Sequence, residues 1–214
     1  MQAGMAVGNL ASTIAIQTGE AALVSELKAG SEEAFALLVA VYHQPLYSVI
    51  ARSVQDAADA ADVTQEVFLK AFRGIGGFHE DSTLKTWLYR IALHEAANRR
   101  RWWSRHKQQE LTIDSPTGTN EDAQSCLRDS LEDGGRSPFE QAAAAEARTR
   151  VEAGLRKLPE NFRTVVILRE LEGFAYDEIA EILKINIGTV KSRLMRGRAA
   201  LKAHLFAAQR EAAR

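Results

Sequence analysis

The chain has 214 residues, of which 46% are hydrophobic and 26% charged, and its formal net charge is −1. This length is enough for one large domain or two small domains with proper cores. A single cysteine, Cys126, excludes a disulfide or a cysteine-based zinc site, and the scattered histidines show no ligand spacing. We therefore expect no metal and no cofactor.

No targeting or membrane segment is predicted. Residues 1–19 contain no Lys or Arg, so they lack the charged start of a signal peptide. We find no apolar run that approaches the roughly 18–20 residues that a membrane-spanning helix needs. We expect a cytoplasmic protein without membrane insertion.

The small net charge hides three blocks of opposite sign. Residues 90–107 hold six basic residues and one acidic residue, a net of +5. Residues 109–140 hold eight acidic and two basic residues, a net of −6, and residues 184–214 hold eight basic and one acidic, a net of +7. Two basic blocks on either side of an acidic one indicate two nucleic-acid contacts on one chain.

The predicted elements begin with a loose N-terminal tail over 1–19, rich in Ala, Gly, Ser and Thr. A first helix over 20–29 ends at Gly30, and Ser31 is placed to cap a second. The apolar face of that second helix contains Phe35, Leu38, Val39 and Tyr42.

Further helices follow in the N-terminal half. Pro45 is expected to break or kink the chain before a helical stretch over 46–54. Another helix covers 56–72 and is stopped by a run of glycines. A polar loop over 78–83 then precedes a helix over 84–103. The glycines of that run are Gly74, Gly76 and Gly77.

A change in composition marks the second half. Residues 108–136, which contain Pro116, several Gly and Ser and most of the acidic excess, are predicted to form a linker. The helix after it starts at Ser137 with an N-cap Ser, a Pro and a Glu of a capping box. It runs to Lys157, and the next helix covers 161–171. No strand pattern is present, so the predicted fold class is all-α, with two small helical domains joined by a flexible acidic linker.

Residues 172–205 predict a helix-turn-helix. Lys184–Asn186 is a tight turn in which Ile185 can fill the joint and Asn186 can cap the second helix. Ala180 allows the two helices to cross closely. The inner face of the first helix is formed by Ile179, Ala180 and Leu183, and that of the second by Val190, Leu194, Leu201 and Leu205.

The outward face of the second helix is basic. At 100° per residue, the central outward positions are Thr189, Ser192 and Arg196, and the flanking ones are Lys191, Arg193 and Lys202. This single-signed face suits contacts to DNA phosphates and base edges. An ordinary basic surface helix is the alternative.

Two pairs of segments resemble the extracytoplasmic-function (ECF) sigma factors of bacterial RNA polymerase. Asp59–Phe72 and Thr86–Ala92 are similar to region 2 of that family. Leu158–Arg163 and Ile187–Arg193 are similar to region 4. The resemblance implies a promoter-specificity factor with no enzymatic site, which binds core RNA polymerase and promoter DNA.

The resemblance also implies roles for particular residues. Docking on the polymerase clamp helices falls on Asp62, Gln65, Glu66 and Leu69, while Val63, Val67 and Phe68 face the core; a merely solvated acidic face is the alternative. Contacts to the −10 element fall on Phe78, Asp81, Ser82, Thr83, His94, Asn98, Arg99, Arg100 and Arg101. Contacts to the −35 element fall on Thr189, Lys191, Ser192, Arg193, Arg196 and Lys202.

The same resemblance implies a division of the chain and its partners. The expected segments are a tail over 1–19, region 2 over 20–107, the linker over 108–136, region 4 over 137–206 and a C-terminal tail over 207–214. The linker would pass through the polymerase cleft, where acidic groups imitate RNA phosphates. An anti-sigma factor is the expected regulator, and the free protein is expected to be a monomer.

Several positions depart from the family or stay open. His94 and Asn98 stand where many relatives carry Asn and Asp, and Ala175 stands where Ser or Thr often caps a helix. Trp102 and Trp103 either stack on unpaired bases or pack at the domain edge. Trp87, at a helical spacing with Ile91, is expected to pack in the core rather than contact a base. Two other classes of protein are weaker alternatives: a helix-turn-helix regulator that works without polymerase, and a helical enzyme, for which no convergent catalytic set is present.

Overall fold

The computed structural model describes residues 19–54, 56–79, 81–106 and 138–212, and all secondary structure within them is helical. This confirms the all-α fold class. The predicted linker over 108–136, Cys126 and nearly all of the predicted N-terminal tail lie outside the described residues. The C-terminal helix continues to Ala212, past the expected start of a tail at 207.

The first two helices agree with their sequence signals. Helix α1 covers 19–28. The chain then turns at Gly30, whose φ of 83° is a left-handed conformation that favours glycine. Helix α2 spans Glu32–Ala51, and the Ser31 hydroxyl accepts a hydrogen bond from the Ala34 N–H at 3.2 Å. The predicted cap at Ser31 is therefore confirmed.

Helix α2 continues through Pro45, where the sequence predicts a break or kink. Leu46, Val49 and Ile50, just beyond the proline, are fully buried, and their packing outweighs the hydrogen bond that proline removes. By length and apolar composition alone, α2 also qualifies as a candidate membrane span, which the sequence analysis did not recognise. The helix packs against α3 and α4, and 28% of its apolar stretch is buried.

Helices α3 and α4 complete the N-terminal group. Helix α3 spans Ala57–Gly74 and is capped by the carboxylate of Asp56, which accepts from the Ala58 N–H at 3.2 Å. A 3₁₀ turn at Ile75–Gly77 follows. Helix α4 spans Leu84–His106, three residues longer than predicted at its C-terminal end.

These helices surround one apolar core, because α2, α3 and α4 all pack against one another. The predicted inward positions of α3 are confirmed as buried. They are Val63, Val67 and Phe68. The outer face of α3 and one side of α4 are thereby left at the surface, where the candidate functional residues lie.

Residues 138–212, the described part of the C-terminal group, contain four α-helices. Helix α5 spans Pro138–Lys157, and α6 spans Glu160–Val166 and continues into a π-helical turn at Ile167–Leu171. Helix α7 spans Tyr176–Leu183, and α8 spans Ile187–Ala212. Helices α5, α6 and α7 all pack on α8, so this helix forms the centre of the group.

The crossing of α6 and α8 depends on a glycine. Gly197 is buried in the middle of α8, and a Cβ atom there would lie 2.7 Å from Cγ2 of Val166 and 3.3 Å from the carbonyl oxygen of Phe162. Both distances are shorter than an ordinary contact. The two helices can approach this closely only because position 197 has no side chain.

The two groups of helices touch each other, mainly through α4 and α7. At the end of α2, Arg52 forms an ion pair with Glu152 of α5 at 2.9 Å, and both side chains are about nine-tenths buried. Arg163 of α6 donates to the backbone carbonyl of Arg52 at 3.2 Å. The structure is thus a closed arrangement of the two groups.

Candidate nucleic-acid interface

The turn of the helix-turn-helix has the geometry that its sequence predicts. Lys184 ends α7 in the left-handed conformation, with φ 51°. The Ile185 N–H donates to the carbonyl of Ala180 at 3.0 Å, which closes the end of the helix. The Ile185 side chain is partly buried against the core, so it fills the joint between α7 and α8 as expected.

Ala175 occupies the N-cap position of α7, as the sequence analysis proposes. The Glu178 carboxylate accepts a hydrogen bond from the Ala175 N–H at 2.8 Å. The methyl group of Ala175 cannot accept the reciprocal bond that a serine or threonine would. Only half of a capping box is present, so this helix start is less well stabilised than a fully capped one.

Helix α8 divides into an inner and an outer face as predicted. Val190 and Leu194 are buried, and Leu201 packs partly buried against the core. On the opposite side, Arg196 projects into solvent at the centre of the basic face. The other residues predicted for this face are the exposed Lys191, Ser192 and Lys202 and the half-buried Thr189 and Arg193.

The cations on this face differ in whether they form an ion pair with a carboxylate of the described residues. Arg198 forms an ion pair with Glu170 at 2.5 Å, and its bond to that carboxylate raises the pKa of the guanidinium. In the part of the chain that the structure describes, no carboxylate forms an ion pair with Lys191, Arg193 or Arg196. These three cations are therefore available for the phosphates and bases of a duplex.

The loop predicted to contact the −10 element is anchored by Phe78. The Phe78 side chain is buried and lies 5.3 Å from the ring of Trp87, which packs in the core as expected. Phe78 therefore holds the loop on the helices, and the other residues predicted to contact the −10 element, Asp81, Ser82 and Thr83, reach solvent.

Thr83 has a structural role that the sequence analysis missed. Its hydroxyl oxygen accepts a hydrogen bond from the Thr86 N–H at 3.1 Å and lies 2.9 Å from the Thr86 hydroxyl. This is the N-cap geometry of α4. A Thr three residues before another Thr at a helix start is the signal that could have revealed it.

His94 and Asn98 lie one turn apart on the same side of α4, with 3.2 Å between His94 Nδ1 and Asn98 Nδ2. Between them, Glu95 accepts from Lys70 of α3 at 2.6 Å and lies 2.8 Å from His94. Burial raises the pKa of Glu95, but the bonds from Lys70, His94 and Asn98 outweigh it, and the net pKa is lowered. Glu95 therefore stays ionised and fixes both predicted −10 residues.

The three consecutive arginines of α4 have different environments. Arg99 lies 3.2 Å from Asp59 and 3.9 Å from Asp62, so it ties α4 to α3. Arg100 forms an ion pair with Glu160 of the C-terminal group. Arg101 is exposed, and it donates to Asn98 at 2.6 Å. Of the three, Arg101 is the one that faces solvent without a carboxylate partner among the described residues.

The two tryptophans at the end of α4 also have different environments. Trp103 is half-buried, and its indole N–H donates to the Asp59 carboxylate, so it packs between α3 and α4. Trp102 is 45% exposed and stacks on His106 with 4.3 Å between the rings. The packed interpretation therefore holds for Trp103, and Trp102 keeps the surface position that base stacking would need.

The outer face of α3 forms a stripe of exposed residues at helical spacing. Asp62 and Gln65 are exposed, and Glu66 lies beside Lys70 at 3.7 Å. Leu69 is 48% exposed and Phe72 is 56% exposed, with the Phe72 ring 4.9 Å from that of Phe35. Phe72 extends the predicted stripe with a second apolar residue, which the site prediction omitted.

Comparison with protein families identifies both halves of the chain. The family described as "Sigma-70 region 2" matches residues 38–105, and that described as "Sigma-70, region 4" matches residues 148–201. The first range contains the α3 stripe and nearly all of α4, and the second contains α7, the turn and the N-terminal part of α8 up to residue 201. The fold and the candidate sites thus coincide with the two regions that define sigma factors.

Curated relatives cover almost the whole chain. The RNA polymerase sigma-H factor of Pseudomonas aeruginosa is 38% identical over 190 residues, which are 89% of this chain and 95% of the relative. The ECF RNA polymerase sigma-E factor of Escherichia coli is 34% identical over 190 residues, covering 86% of this chain and 93% of that protein.

Solved structures share the fold. CnrH in complex with the cytosolic domain of CnrY superposes with a TM-score of 0.62 at 24% identity, over 88% of this chain and 97% of that one. The sigma factor RpoE of Bartonella quintana, in complex with the anti-sigma factor NepR, gives 0.60 at 24% identity, over 80% and 96%.

The class of the protein follows from these matches together with the fold: it is a sigma factor of the sigma-70 superfamily. More narrowly, the chain belongs to the ECF sigma factors, whose members direct RNA polymerase to promoters. Its function is therefore promoter-specific initiation of transcription.

Proposed function

We propose that the described surfaces divide the work of initiation among three elements: α8 binds the −35 element, the loop before α4 and α4 itself bind the −10 element, and α3 docks on the polymerase. The proposed segments are region 2 over 20–107, an acidic linker over 108–136 and region 4 over 137–206. The observation that carries this proposal is the basic face of α8, where Lys191, Arg193 and Arg196 form no ion pair with a carboxylate of the described residues.

The proposal for the −35 element rests on geometry and charge together. A helix-turn-helix places its second helix in the major groove with its outward residues on base edges. Arg196 is at the centre of the outward face, and Lys191 and Arg193 lie beside it without a carboxylate in the described residues. Arg196 would make the base contact, and its neighbours would hold phosphates.

The proposal for the −10 element rests on the loop over 81–83 and on the solvent face of α4. Exposed Asp81 and half-buried Ser82 offer groups for the Watson–Crick edge of an extruded base. His94 and Asn98 are held on one side of the helix by Glu95. Arg101 adds a cation for the strand's phosphates.

The proposal for polymerase docking rests on the α3 stripe. Leu69 and Phe72 are exposed apolar side chains in line with the acidic and amide groups of Asp62 and Gln65. An apolar centre with a polar rim is the composition of a protein interface. Glu66→Lys is expected to weaken association with core enzyme without loss of helical content. Normal co-purification of a fully helical Glu66→Lys protein with core polymerase would contradict the docking role.

Control by an anti-sigma factor is also proposed. The structural neighbour CnrH is bound to the cytosolic domain of CnrY, and the neighbour RpoE is bound to the anti-sigma factor NepR. By likeness to them, this protein would act in the cytoplasm and be held there by a dedicated partner. A pull-down from resting cells should recover such a partner besides polymerase. Recovery of polymerase alone, from resting and stressed cells, would contradict this proposal.

Run-off transcription tests the proposed function as a whole. Purified core polymerase is combined with a genomic fragment library, with and without this protein, and the transcript starts are sequenced. New starts that share −35 and −10 sequences are the expected result. Binding of the protein to the same fragments without any new start would instead favour a regulator that works without polymerase.

A further inference from the structure

One side of α4 is covered by the segment that leads into α7. The Lys85 ammonium donates to the backbone carbonyl of Glu172 at 2.8 Å. The Tyr89 hydroxyl donates to the Glu172 carboxylate, and Arg90 forms an ion pair with Glu181. The covered residues belong to the helix that the proposed function assigns to the melted −10 strand.

An aromatic ring completes this contact. Phe174 lies 4.8 Å from the ring of Tyr89 in an edge-on arrangement, and the Lys85 ammonium lies 4.3 Å above the Phe174 ring. Tyr89 and Phe174 are 0% and 1% exposed, so each is fully covered in the closed structure. Burial, together with the charge of Glu172, raises the pKa of the Tyr89 phenol, which therefore keeps its proton and donates.

The backbone before α7 is built to present these two residues together. The Glu172 N–H donates to the carbonyl of Ile167 at 3.1 Å, and the Phe174 N–H donates to the carbonyl of Leu168 at 3.0 Å. Between them, Gly173 has φ 74°, a conformation that other residues rarely adopt. A carboxylate, a carbonyl and an aromatic ring thus project from one rigid turn.

The turn presents the same kinds of groups as a nucleotide, namely oxygen acceptors and an aromatic ring. Single-stranded nucleic acids are bound by cations that take phosphate oxygens and by aromatic side chains that contact the bases. On α4, Lys85 and Tyr89 take oxygens of Glu172, and the same two residues contact the ring of Phe174. A protein ring and two protein oxygens therefore occupy positions that suit a base and its phosphate.

The ion pairs near the turn are all oriented in the same way between the two groups of helices. In the ion pairs that join the two groups of helices in the described chain, the cation belongs to the N-terminal group and the carboxylate to the C-terminal group. These pairs are Arg52–Glu152, Arg90–Glu181 and Arg100–Glu160. The C-terminal group thus offers the N-terminal group an acidic surface, as DNA does. The basic face of α8 stays exposed in this arrangement, so only one of the two DNA sites is covered.

We propose that Glu172–Phe174 occupies a nucleotide-binding position on α4, so that the C-terminal helices and an unpaired DNA strand compete for Lys85 and Tyr89. The structure is then a closed state that cannot hold the melted −10 strand. Lys85 and Tyr89 become strand contacts once the turn has left. This inference deepens the proposed function and rests on it.

The test compares full-length variants that weaken the turn without changing α4. Glu172→Gln combined with Glu181→Gln removes two carboxylates from the contact. Glu170→Gln is the matched control, because Glu170 lies two residues away and pairs with Arg198 inside the C-terminal group. Fluorescence anisotropy measures binding of a labelled single-stranded DNA of random sequence, with the same DNA as duplex for comparison. Small-angle X-ray scattering measures the radius of gyration.

The double variant is expected to bind the single strand about five- to tenfold more tightly than wild type, within the usual range of coupling between two states. Its radius of gyration should rise, and Glu170→Gln should match wild type in both measurements. Adding Lys85→Ala should remove the gain in affinity.

Unchanged single-strand affinity of the double variant, whether or not its radius of gyration rises, would overturn the proposal. An equal gain for duplex DNA, or a gain that survives Lys85→Ala, would also overturn it. The binding assay contains no polymerase. Failure of the proposed function would instead show as absence of run-off transcription by wild type and double variant alike, and is therefore distinguishable.

Discussion

Replacing Gly197 by alanine tests how the DNA-binding helix α8 is seated. The added Cβ would lie 2.7 Å from Cγ2 of Val166, about 1 Å closer than a relaxed contact between carbon atoms. Val166 is 2% exposed and β-branched, so it cannot turn away without disturbing the core. The second close atom is the Phe162 carbonyl oxygen, which belongs to the backbone of α6 and is equally constrained.

The net effect follows from two opposing terms. Overpacking a core costs about 1–3 kcal/mol, while alanine in a helix interior is favoured over glycine by about 1 kcal/mol. We therefore expect Gly197→Ala to lower the free energy of unfolding by up to about 2 kcal/mol. Gly154→Ala would meet Cδ1 of the partly buried Leu201 at 2.8 Å and Leu205 only at ordinary contact distance, and it should be close to neutral because a leucine methyl group can shift. Gly188→Ala meets no atom within 4 Å and should be neutral or slightly stabilising.

Urea titration separates the two halves of the protein. The three tryptophans, Trp87, Trp102 and Trp103, all belong to α4, so their fluorescence follows the N-terminal helices. Far-ultraviolet circular dichroism follows all helices. Gly197→Ala should shift the circular dichroism transition to lower urea more than it shifts the fluorescence transition. A Gly197→Ala protein as stable as Gly188→Ala would refute the argument that the crossing requires a glycine.

Three further outcomes are expected. Arg196→Ala should weaken binding to the cognate −35 element by about 1–3 kcal/mol and relax the preference at one base pair, whereas wild-type behaviour on a set of −35 mutants would remove the base contact. Thr83→Ala should cost about 1 kcal/mol of stability in thermal unfolding through loss of the α4 cap, and exposed Asp81 serves as control, since Asp81→Ala should change stability by less than about 0.5 kcal/mol. Because the pKa of Tyr89 is raised in the folded protein, its stabilising effect is complete below the unfolded value of about 10 and is lost as the pH rises above it. Tyr89→Phe should therefore reduce the fall in melting temperature above about pH 10, and an unchanged slope would contradict this assignment.

The sequence by itself determined the helices and the faces that depend on local periodicity. The cap at Ser31, the buried stripe of α3 and the turn at Ile185 depend only on neighbouring residues. Such patterns are legible because a helix repeats every 3.6 residues and its ends need particular side chains. The match to both sigma regions supplied the order of the functional surfaces, since the motifs stand in the same order along the chain.

Only the tertiary structure decided which of these residues face solvent and which face another helix. Arg99, Arg100 and Arg101 are equivalent in sequence, but they bind respectively to α3, to the C-terminal group and to Asn98, because the partners come from distant parts of the chain. The covering of Tyr89 by Phe174 joins residues 85 positions apart, which no periodicity of a single helix encodes. Pro45 is a position where tertiary packing overrides a local signal. The proline predicts a break or kink, but the burial of the residues after it keeps the helix continuous.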